Sequence, residues 1–346
     1  LGVTDRLIET SQPLHGLEAV DGGQHWFGQP SALFSKDDLD SPDPDEPLGQ
    51  MVMAEPLQAA LDEAMAKSAT LSRLAPAEFR SFTRADNHIS IELDQGRTVA
   101  ARLLIGADGM RSPVRTALDI PVEGRDYQKS VLTANVKLSR PHDGIARQLF
   151  TPEGPFATLP LTGNRANLAC YMARGAAETL AEMPVPDIEA ELNARFADFA
   201  GPMRIDGKAG SYPLILQLAT EIIAPRAALI GDAARRVNPL AGQGLNQGFR
   251  DVAALIEIAQ HTLRIGGEIG DPQMLEAYSQ ARRFDGASTA LALDAIDRLF
   301  SNDLTLTKPF RTLGLLAASR VSPLRRMIAQ KASAAEPGVS GPMADW

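Results

Sequence analysis

One segment constrains the fold more than any other: ALIGDAARRVNPLAGQGLNQGFRDVAAL, residues 228–255. It opens with an apolar run that is typical of a buried strand, and Gly231 and Asp232 stand at the carboxyl end of that strand. A glycine-rich turn follows, and a helix is predicted to start near Leu245. Because ligands of open α/β sheets bind beyond the carboxyl ends of the strands, the segment predicts an α/β fold with a binding site at this turn.

The turn in this segment suits a negatively charged ligand. Pro239 restrains the backbone before the turn, and Gly242 and Gly244 permit a close approach that a Cβ atom would block. The first N–H groups of the helix lack intrahelical partners and carry partial positive charge, which favours an anion. An ordinary strand–loop–helix connection would account for the glycines alone, so the prediction depends on their combination with Gly231, Asp232 and Pro239.

A second segment, LLIGADGMRSPVRTAL at residues 103–118, has a similar design. A short apolar run closes at Asp108 and Gly109, and Ser112 can cap a helix whose first residue is proline. The segment would also bring two arginines close to a bound phosphate, Arg111 and Arg115. The alternative interpretation is a capped turn with solvated arginines.

Composition excludes several classes of function. The formal net charge of −9 argues against a whole-chain nucleic-acid binder, which would be basic. The five histidines are scattered, so no metal site is expected, and the single cysteine, Cys170, rules out a disulfide within the chain. Neither an apolar run of about 18 residues nor a signal peptide is recognisable, which predicts a cytoplasmic protein.

The pattern along the chain predicts two domains. Residues 1–48 are loop-rich, and the spacing of apolar residues predicts a helix over residues 53–67. Further on, segments such as SVLTANVKLS and ANLACYMA predict a mainly antiparallel sheet. The expected division is a discontinuous nucleotide-binding domain with C-terminal helices, residues 49–124 and 216–335, and an inserted substrate domain, residues 11–48 and 125–215.

Together the two glycine-containing segments resemble the flavoprotein aromatic hydroxylases, the class A monooxygenases related to p-hydroxybenzoate hydroxylase. GADGMRSPVR is similar to the DG motif of that family, and LIGDAARRVNPLAGQGLNQGFRDVAAL is similar to its GD motif. Four further segments resemble the ubiquinone-biosynthesis branch of the family: EPLGQMVMAEPLQAAL, GPFATLPL, YSQARRFD and DRLFSNDLTLTKPFRTLGL.

This resemblance implies a fold and a reaction. The fold is an FAD-binding, Rossmann-like α/β domain with an inserted, mainly antiparallel β-sheet substrate domain and C-terminal helices. The reaction is hydroxylation of an aromatic ring, in this branch a polyprenylated phenol, with NAD(P)H and O₂ through a flavin C4a-hydroperoxide. The oxygen chemistry belongs to the cofactor, so no side chain is expected to act as a catalytic nucleophile.

The resemblance also implies roles for individual residues. Asp232 would hold the ribityl and pyrophosphate region of FAD, and Asp108 with Gly109 would lie near the pyrophosphate and the path of NAD(P)H. The residues from Gly242 to Asn246 would border the isoalloxazine ring. The complete set of expected cofactor-binding residues is Asp108, Gly109, Gly231, Asp232, Pro239, Gly242, Gln243, Gly244, Leu245 and Asn246.

The sequence departs from the family pattern in two respects. Arg235 and Asn238 stand where the family often has histidines. In addition, the strand–GxGxxG–helix unit that takes the ADP half of FAD, and that lies beside the strand ending at Asp108, has no counterpart in the 346 residues. We therefore expect the natural protein to carry such a unit upstream, and the 346-residue chain alone to bind FAD weakly or not at all.

Two alternative functions remain open at this point. The chain could be a flavin hydroxylase of the same fold that acts on a soluble phenol or heterocycle. It could also be a non-catalytic assembly subunit of a quinone-biosynthesis complex that has lost FAD.

The C-terminal segment carries six basic residues among apolar ones, Lys308, Arg311, Arg320, Arg325, Arg326 and Lys331. Such a segment either packs on its own domain with a solvated basic side or contacts the inner face of a membrane peripherally.

Overall fold

The structure, a computed structural model, describes residues 2–22, 30–39, 46–237, 243–283 and 325–326. The helices in these ranges are α1 (Thr4–Ile8), α2 (Ala54–Lys67), α3 (Pro113–Ala117), α4 (Ala176–Ala181), α5 (Val185–Ala200), α6 (Gln243–Arg264) and α7 (272–283). The strands are β1 (Gln12–Leu14), β2 (Gly16–Asp21), β3 (Ser31–Ser35), β4 (Gly49–Met51), β5 (Phe79–Arg84), β6 (Ile89–Leu93), β7 (Thr98–Ala101), β8 (Leu104–Gly106), β9 (Val122–Leu138), β10 (Ile145–Thr151), β11 (Gly154–Leu161), β12 (Arg165–Ala173), β13 (Met203–Ile205), β14 (Gly210–Ala219), β15 (Ile223–Ala224), β16 (Ala227–Leu229) and β17 (Arg235–Arg236).

The largest sheet is mainly antiparallel. Among the described residues it has nine strands in the order β17-β14-β9-β12-β11-β10-β2-β3, with β13 paired to β9. Strands β10 and β2 pair in parallel, and the other pairings are antiparallel. This sheet confirms the predicted antiparallel part of an α/β fold. It also includes β2 and β3, which lie in a region where the sequence predicts mainly loops.

The two faces of this large sheet differ in composition. Along β9, Leu132, Ala134 and Val136 are buried against α4 and α5. Phe156 of β11 stacks on Phe196 of α5 with ring centroids 3.9 Å apart. Each fully buried side chain of this size contributes about 1.5–3 kcal/mol to stability. The opposite side, called here the half-buried face, carries Thr133, Asn135, Ala157, Asn167 and Ala169, which pair directly across the strands.

A smaller sheet carries both predicted glycine-containing segments. Its order is β15-β16-β8, and β16 pairs with β8 in parallel. Leu229 of β16 is fully buried beneath α6 and α7, and Tyr278 of α7 donates its hydroxyl proton to the Leu229 carbonyl at 2.9 Å. In the described part of the chain β8 pairs on one side only, and Ile105 is 43% exposed. Because the two strands are parallel, their carboxyl ends meet at one edge of this sheet.

Arg226 directly precedes β16 and holds the amino-terminal end of this strand in place through hydrogen bonds. Its backbone has φ +58°, and its buried guanidinium donates to the carbonyls of Asp86 at 2.9 and 2.6 Å and of Arg102 at 3.2 Å. It also pairs with the Glu268 carboxylate at 3.1 Å. Arg226 therefore joins the β5–β6 turn, the β7–β8 loop and the loop before α7.

We expect Arg226→Ala to lower the free energy of unfolding by about 2 kcal/mol, because it leaves buried carbonyls without their charged donor. Urea denaturation followed by circular dichroism measures this. Arg283→Ala is the matched control, since Arg283 pairs with Glu221 on the surface, where such pairs contribute little. Equal stabilities of the two variants would contradict the role given to Arg226.

Candidate cofactor-binding site

In the GD segment, residues 228–255, the predicted strand and helix are present as β16 and α6, whereas residues 238–242 of the predicted glycine-rich turn lie outside the described residues. After β16, Gly231 takes a left-handed conformation with φ +57°, which favours glycine. Residues Gly231–Ala233 form a single 3₁₀ turn, called here the GD turn. The Gly231 N–H donates to a carboxylate oxygen of Asp251 in α6 at 2.9 Å. The turn thus leaves the sheet at the carboxyl end of β16 and is tied to the helix that follows.

Asp232 stands on this turn as an available acceptor. Burial raises the pKa of the Asp232 carboxyl, and the nearby Arg236 guanidinium lowers it. No donor within the described ranges forms a hydrogen bond to this carboxylate. A carboxylate in that position can accept hydrogen bonds from the hydroxyls of a bound ligand.

In the DG segment, residues 103–118, the sequence predicts that Asp108 lies near the ligand, and the structure shows that its carboxylate also has partners within the protein. These partners lie in the loop between β8 and α3, called here the DG loop, and in the first turn of α3. The Asp108 carboxylate accepts from the Ser112 hydroxyl at 2.5 Å and from the Val114 N–H at 3.0 Å, and Ser112 in turn caps α3 by accepting from the Arg115 N–H at 2.9 Å. Gly109 follows with φ +81°, and a Cβ atom there would meet no atom within 4 Å. Asp108 therefore holds the loop that leaves open space at Gly109.

Arg115 connects the two segments. Its buried guanidinium donates to the Ala233 carbonyl of the GD turn at 2.8 Å and to the Met110 carbonyl of the DG loop at 2.7 Å. The sequence placed Arg115 near a phosphate, whereas the structure gives it two carbonyl partners beneath the turns. Arg111, the other arginine of this segment, is exposed.

The first turn of α6 faces open space. A Cβ atom at Gly244 would meet nothing within 4 Å, Leu245 is 59% exposed, and Asn246 is exposed as well. Gln243 begins the helix, and its side chain lies outside the described residues. Pro239 and Gly242 also lie outside the described residues.

A buried polar cluster beneath the GD turn was not predicted. The Asp251 carboxylate, which is fully buried, accepts from Arg235 at 2.7 Å and from Arg282 of α7 at 2.8 Å. Arg282 also donates to the buried Gln247 at 2.8 Å. One signal could have revealed the cluster: Gln247, Asp251 and Leu255 recur every four residues, so they lie on one face of α6.

The arrangement fits FAD. The parallel strands end together, the Asp232 carboxylate is available for ribityl or ribose hydroxyls, and Gly109 and Gly244 leave room beside the helix start. A search of the described residues finds no group of histidine, cysteine and acidic side chains that could hold a metal ion. None of the described helices is both long and apolar enough to cross a bilayer.

Comparisons with known proteins agree with this geometry. A family model described as an FAD binding domain matches residues 1–290. The chain is 36% identical over 332 residues to the ubiquinone hydroxylase UbiL of Rhodospirillum rubrum, an alignment that covers 96% of this chain and 75% of the relative. It is 34% identical over 282 residues to the 3-demethoxyubiquinol 3-hydroxylase of Escherichia coli, covering 81% of this chain and 71% of the relative.

The fold is shared with solved structures of low sequence identity. The p-nitrophenol 4-monooxygenase PnpA from Pseudomonas putida superposes with a TM-score of 0.77 at 16% identity, covering 94% of this chain and 82% of that one. With the family model and the two relatives, the conclusion is that the chain belongs to the FAD-binding-domain family, in the branch of FAD-dependent hydroxylases that contains the ubiquinone-biosynthesis enzymes.

Proposed function

We propose that the chain hydroxylates the aromatic ring of a polyprenylated phenol, with FAD, NAD(P)H and O₂. The observation that carries the proposal is the available Asp232 carboxylate beside the open space at Gly109 and Gly244. The names of the two relatives, a ubiquinone hydroxylase and a 3-demethoxyubiquinol 3-hydroxylase, support the substrate class. Bound FAD supplies the activation of O₂, and the protein supplies position and electrostatics.

The protein residues share the task of binding FAD. Asp232 accepts from the cofactor hydroxyls, and Gly231 and Gly109 give the two turns their left-handed shape. The first N–H groups of α6 stabilise negative charge on the ring. The remaining members of the proposed site are Asp108, Pro239, Gly242, Gln243, Gly244, Leu245 and Asn246. The proposed division is an FAD domain, residues 49–124 and 216–335, and a substrate domain, residues 11–48 and 125–215.

The half-buried face of the large sheet is the proposed wall of the substrate site. Asn167 donates its amide N–H to the Asn135 side-chain oxygen at 2.9 Å, and Thr133 lies 3.4 Å from the Asn167 oxygen. Ala157 and Ala169 flank these polar groups with the smallest side chains that still carry a Cβ atom. Small apolar and amide groups together suit an aromatic ring that bears oxygen substituents.

Contacts of β14 bring this sheet to the cofactor turns. Gln217 donates to the Met110 carbonyl of the DG loop at 3.1 Å. Arg236 donates to the Pro213 carbonyl at 3.0 Å and also contacts the Met110 sulfur. Burial raises the pKa values of both Tyr212 and Asp232, and the same Arg236 guanidinium opposes this rise at both residues. These hydrogen bonds therefore link the large sheet, which carries the half-buried face, to the DG loop and to the strand that follows the GD turn.

We expect Asn167→Leu to lower kcat/KM about tenfold, because it leaves Asn135 without its amide donor and removes a polar contact to the substrate. The dissociation constant of FAD should stay unchanged. Thr162→Ala, in the exposed β11–β12 turn, is the control and should keep wild-type kinetics. An unchanged kcat/KM of Asn167→Leu would place the substrate elsewhere.

The reaction itself is tested with purified protein, FAD, NADH or NADPH, and isotopically labelled O₂. The expected result is one labelled oxygen in the ring of a prenylated phenol, detected by mass spectrometry, and no product from soluble phenols. Product from soluble phenols only would favour the first alternative. A natural protein that carries the expected upstream unit, yet neither binds FAD nor turns over, would favour the non-catalytic assembly subunit.

Peripheral membrane contact from the cytoplasmic side, and membership of a quinone-biosynthesis complex, are further parts of the proposal. Arg325 of the basic C-terminal segment pairs with Asp38 at 2.9 Å, so this side chain binds the protein itself. Lys308, Arg311, Arg320 and Lys331 lie outside the described residues. Co-sedimentation with vesicles of anionic lipid tests the membrane contact, and no binding at low salt would exclude it.

A further inference from the structure

We infer that Asp251 is a positioning residue that clamps the Gly231–Asp232 turn onto α6 and so aims Asp232 at FAD. This inference rests on the proposed FAD site. One oxygen of Asp251 accepts from the Gly231 N–H at 2.9 Å, and the other accepts from Arg235 at 2.7 Å and from Arg282 at 2.8 Å. The carboxylate is fully buried, so water does not compete for these bonds.

The backbone of the turn is packed directly on the helix. A Cβ atom at Gly248 would lie 3.5 Å from the Gly231 Cα atom, and a Cβ atom at Gly231 would lie 3.9 Å from the Gly248 Cα atom. The turn therefore lies in van der Waals contact with α6 at Gly248, less than one helical turn before Asp251. The direction of the Gly231 N–H, and with it the placement of Asp232, is set by its hydrogen bond to Asp251.

Three separate elements meet at the Asp251 carboxylate. Gly231 begins the turn, Arg235 follows it in β17, and Arg282 comes from α7. The Arg235 guanidinium is held by Asp251 below the turn. Because the partners come from both ends of the turn and from a second helix, the clamp restrains the turn as a unit.

The opposing interpretation is an ion cluster that stabilises the core without affecting the cofactor site. Tyr278 offers a matched control for this interpretation. It is fully buried on α7 and bonds the Leu229 carbonyl at 2.9 Å, two residues before Gly231. Tyr278→Phe therefore removes one buried hydrogen bond from the same strand without touching the turn.

The experiment compares Asp251→Asn with Tyr278→Phe in the full chain. Thermal unfolding without FAD reports stability. Quenching of FAD fluorescence, at a temperature well below both unfolding transitions, reports the dissociation constant, and the absorption band of bound FAD reports its surroundings. We expect both variants to unfold at lower temperature. Asp251→Asn should weaken FAD binding about tenfold or more and shift the band, whereas Tyr278→Phe should stay within about twofold of wild type.

Each outcome decides the inference. A wild-type dissociation constant and spectrum for folded Asp251→Asn would overturn it. So would equal losses of affinity in both variants. If Asp251→Asn does not fold, Arg235→Gln decides, because it removes one donor and keeps a polar side chain; about threefold weaker binding supports the clamp and wild-type binding overturns it. Failure of the wild-type natural protein, with the upstream unit that the sequence leads us to expect, to bind FAD would instead contradict the proposed function.

Discussion

Asp232→Ala is expected to weaken FAD binding by between about tenfold and a hundredfold. The carboxylate is the available acceptor at the end of β16, and a charge-assisted hydrogen bond contributes about 1.5–3 kcal/mol. FAD fluorescence quenching measures the loss. Asp198→Ala, on the exposed surface of α5, is the matched control and should leave binding unchanged. Unchanged affinity for Asp232→Ala would show that FAD binds elsewhere.

Asp232 favours FAD binding, but at neutral pH we expect it to lower the stability of the protein without FAD. Burial raises the pKa of Asp232 in the folded state, so its contribution to stability is present below the unfolded pKa and is lost as the pH rises through the folded pKa. At neutral pH the ionised carboxylate therefore costs stability. Asp232→Asn should unfold at a higher temperature than wild type at neutral pH, with the difference vanishing near pH 4, about the unfolded pKa.

Thermal unfolding of the two apoproteins across this pH range checks the sign. A wild-type protein that is more stable than Asp232→Asn at neutral pH would show that Asp232 serves the fold. The expected combination, better stability with poorer FAD binding, is the behaviour of a residue retained for its ligand.

The parts of the site that follow from local chemistry were predictable. The apolar run before Gly231 and the helix that begins at Gln243 are each encoded within a few residues. The predicted cap at Ser112 and the helix over residues 53–67 have the same local origin and appear as the start of α3 and as α2. In these places the residues that determine the structure are neighbours in the chain.

Long-range pairings were not predictable in the same way. Strand β2 is short, and its parallel partner β10 lies more than a hundred residues away, so local patterns indicate only loops there. Asp251 falls on a helix, and only the folded chain brings Arg235 and Arg282 to it. A charged side chain in a sequence does not reveal whether its partner is a ligand, a second side chain or a carbonyl.

Arg115 shows the consequence of that ambiguity. Near a phosphate, its loss would weaken FAD binding with little effect on folding. In the structure its guanidinium instead donates to the Ala233 and Met110 carbonyls, which belong to the GD turn and the DG loop. Removing it separates the two turns and leaves the Ala233 carbonyl without this buried donor.

We therefore expect Arg115→Met to lower the free energy of unfolding by about 3 kcal/mol in the absence of FAD, since it breaks one buried and one partly buried hydrogen bond to a charged donor. Urea denaturation of the apoprotein measures this. Arg115→Lys should restore only part of the stability, because one ammonium group does not reproduce the planar fork that reaches both carbonyls. Arg111→Met, on the exposed side of the same loop, should keep wild-type stability. If instead Arg115→Met unfolds like wild type and loses only FAD affinity, Arg115 serves a phosphate, and the two turns are held together by other contacts.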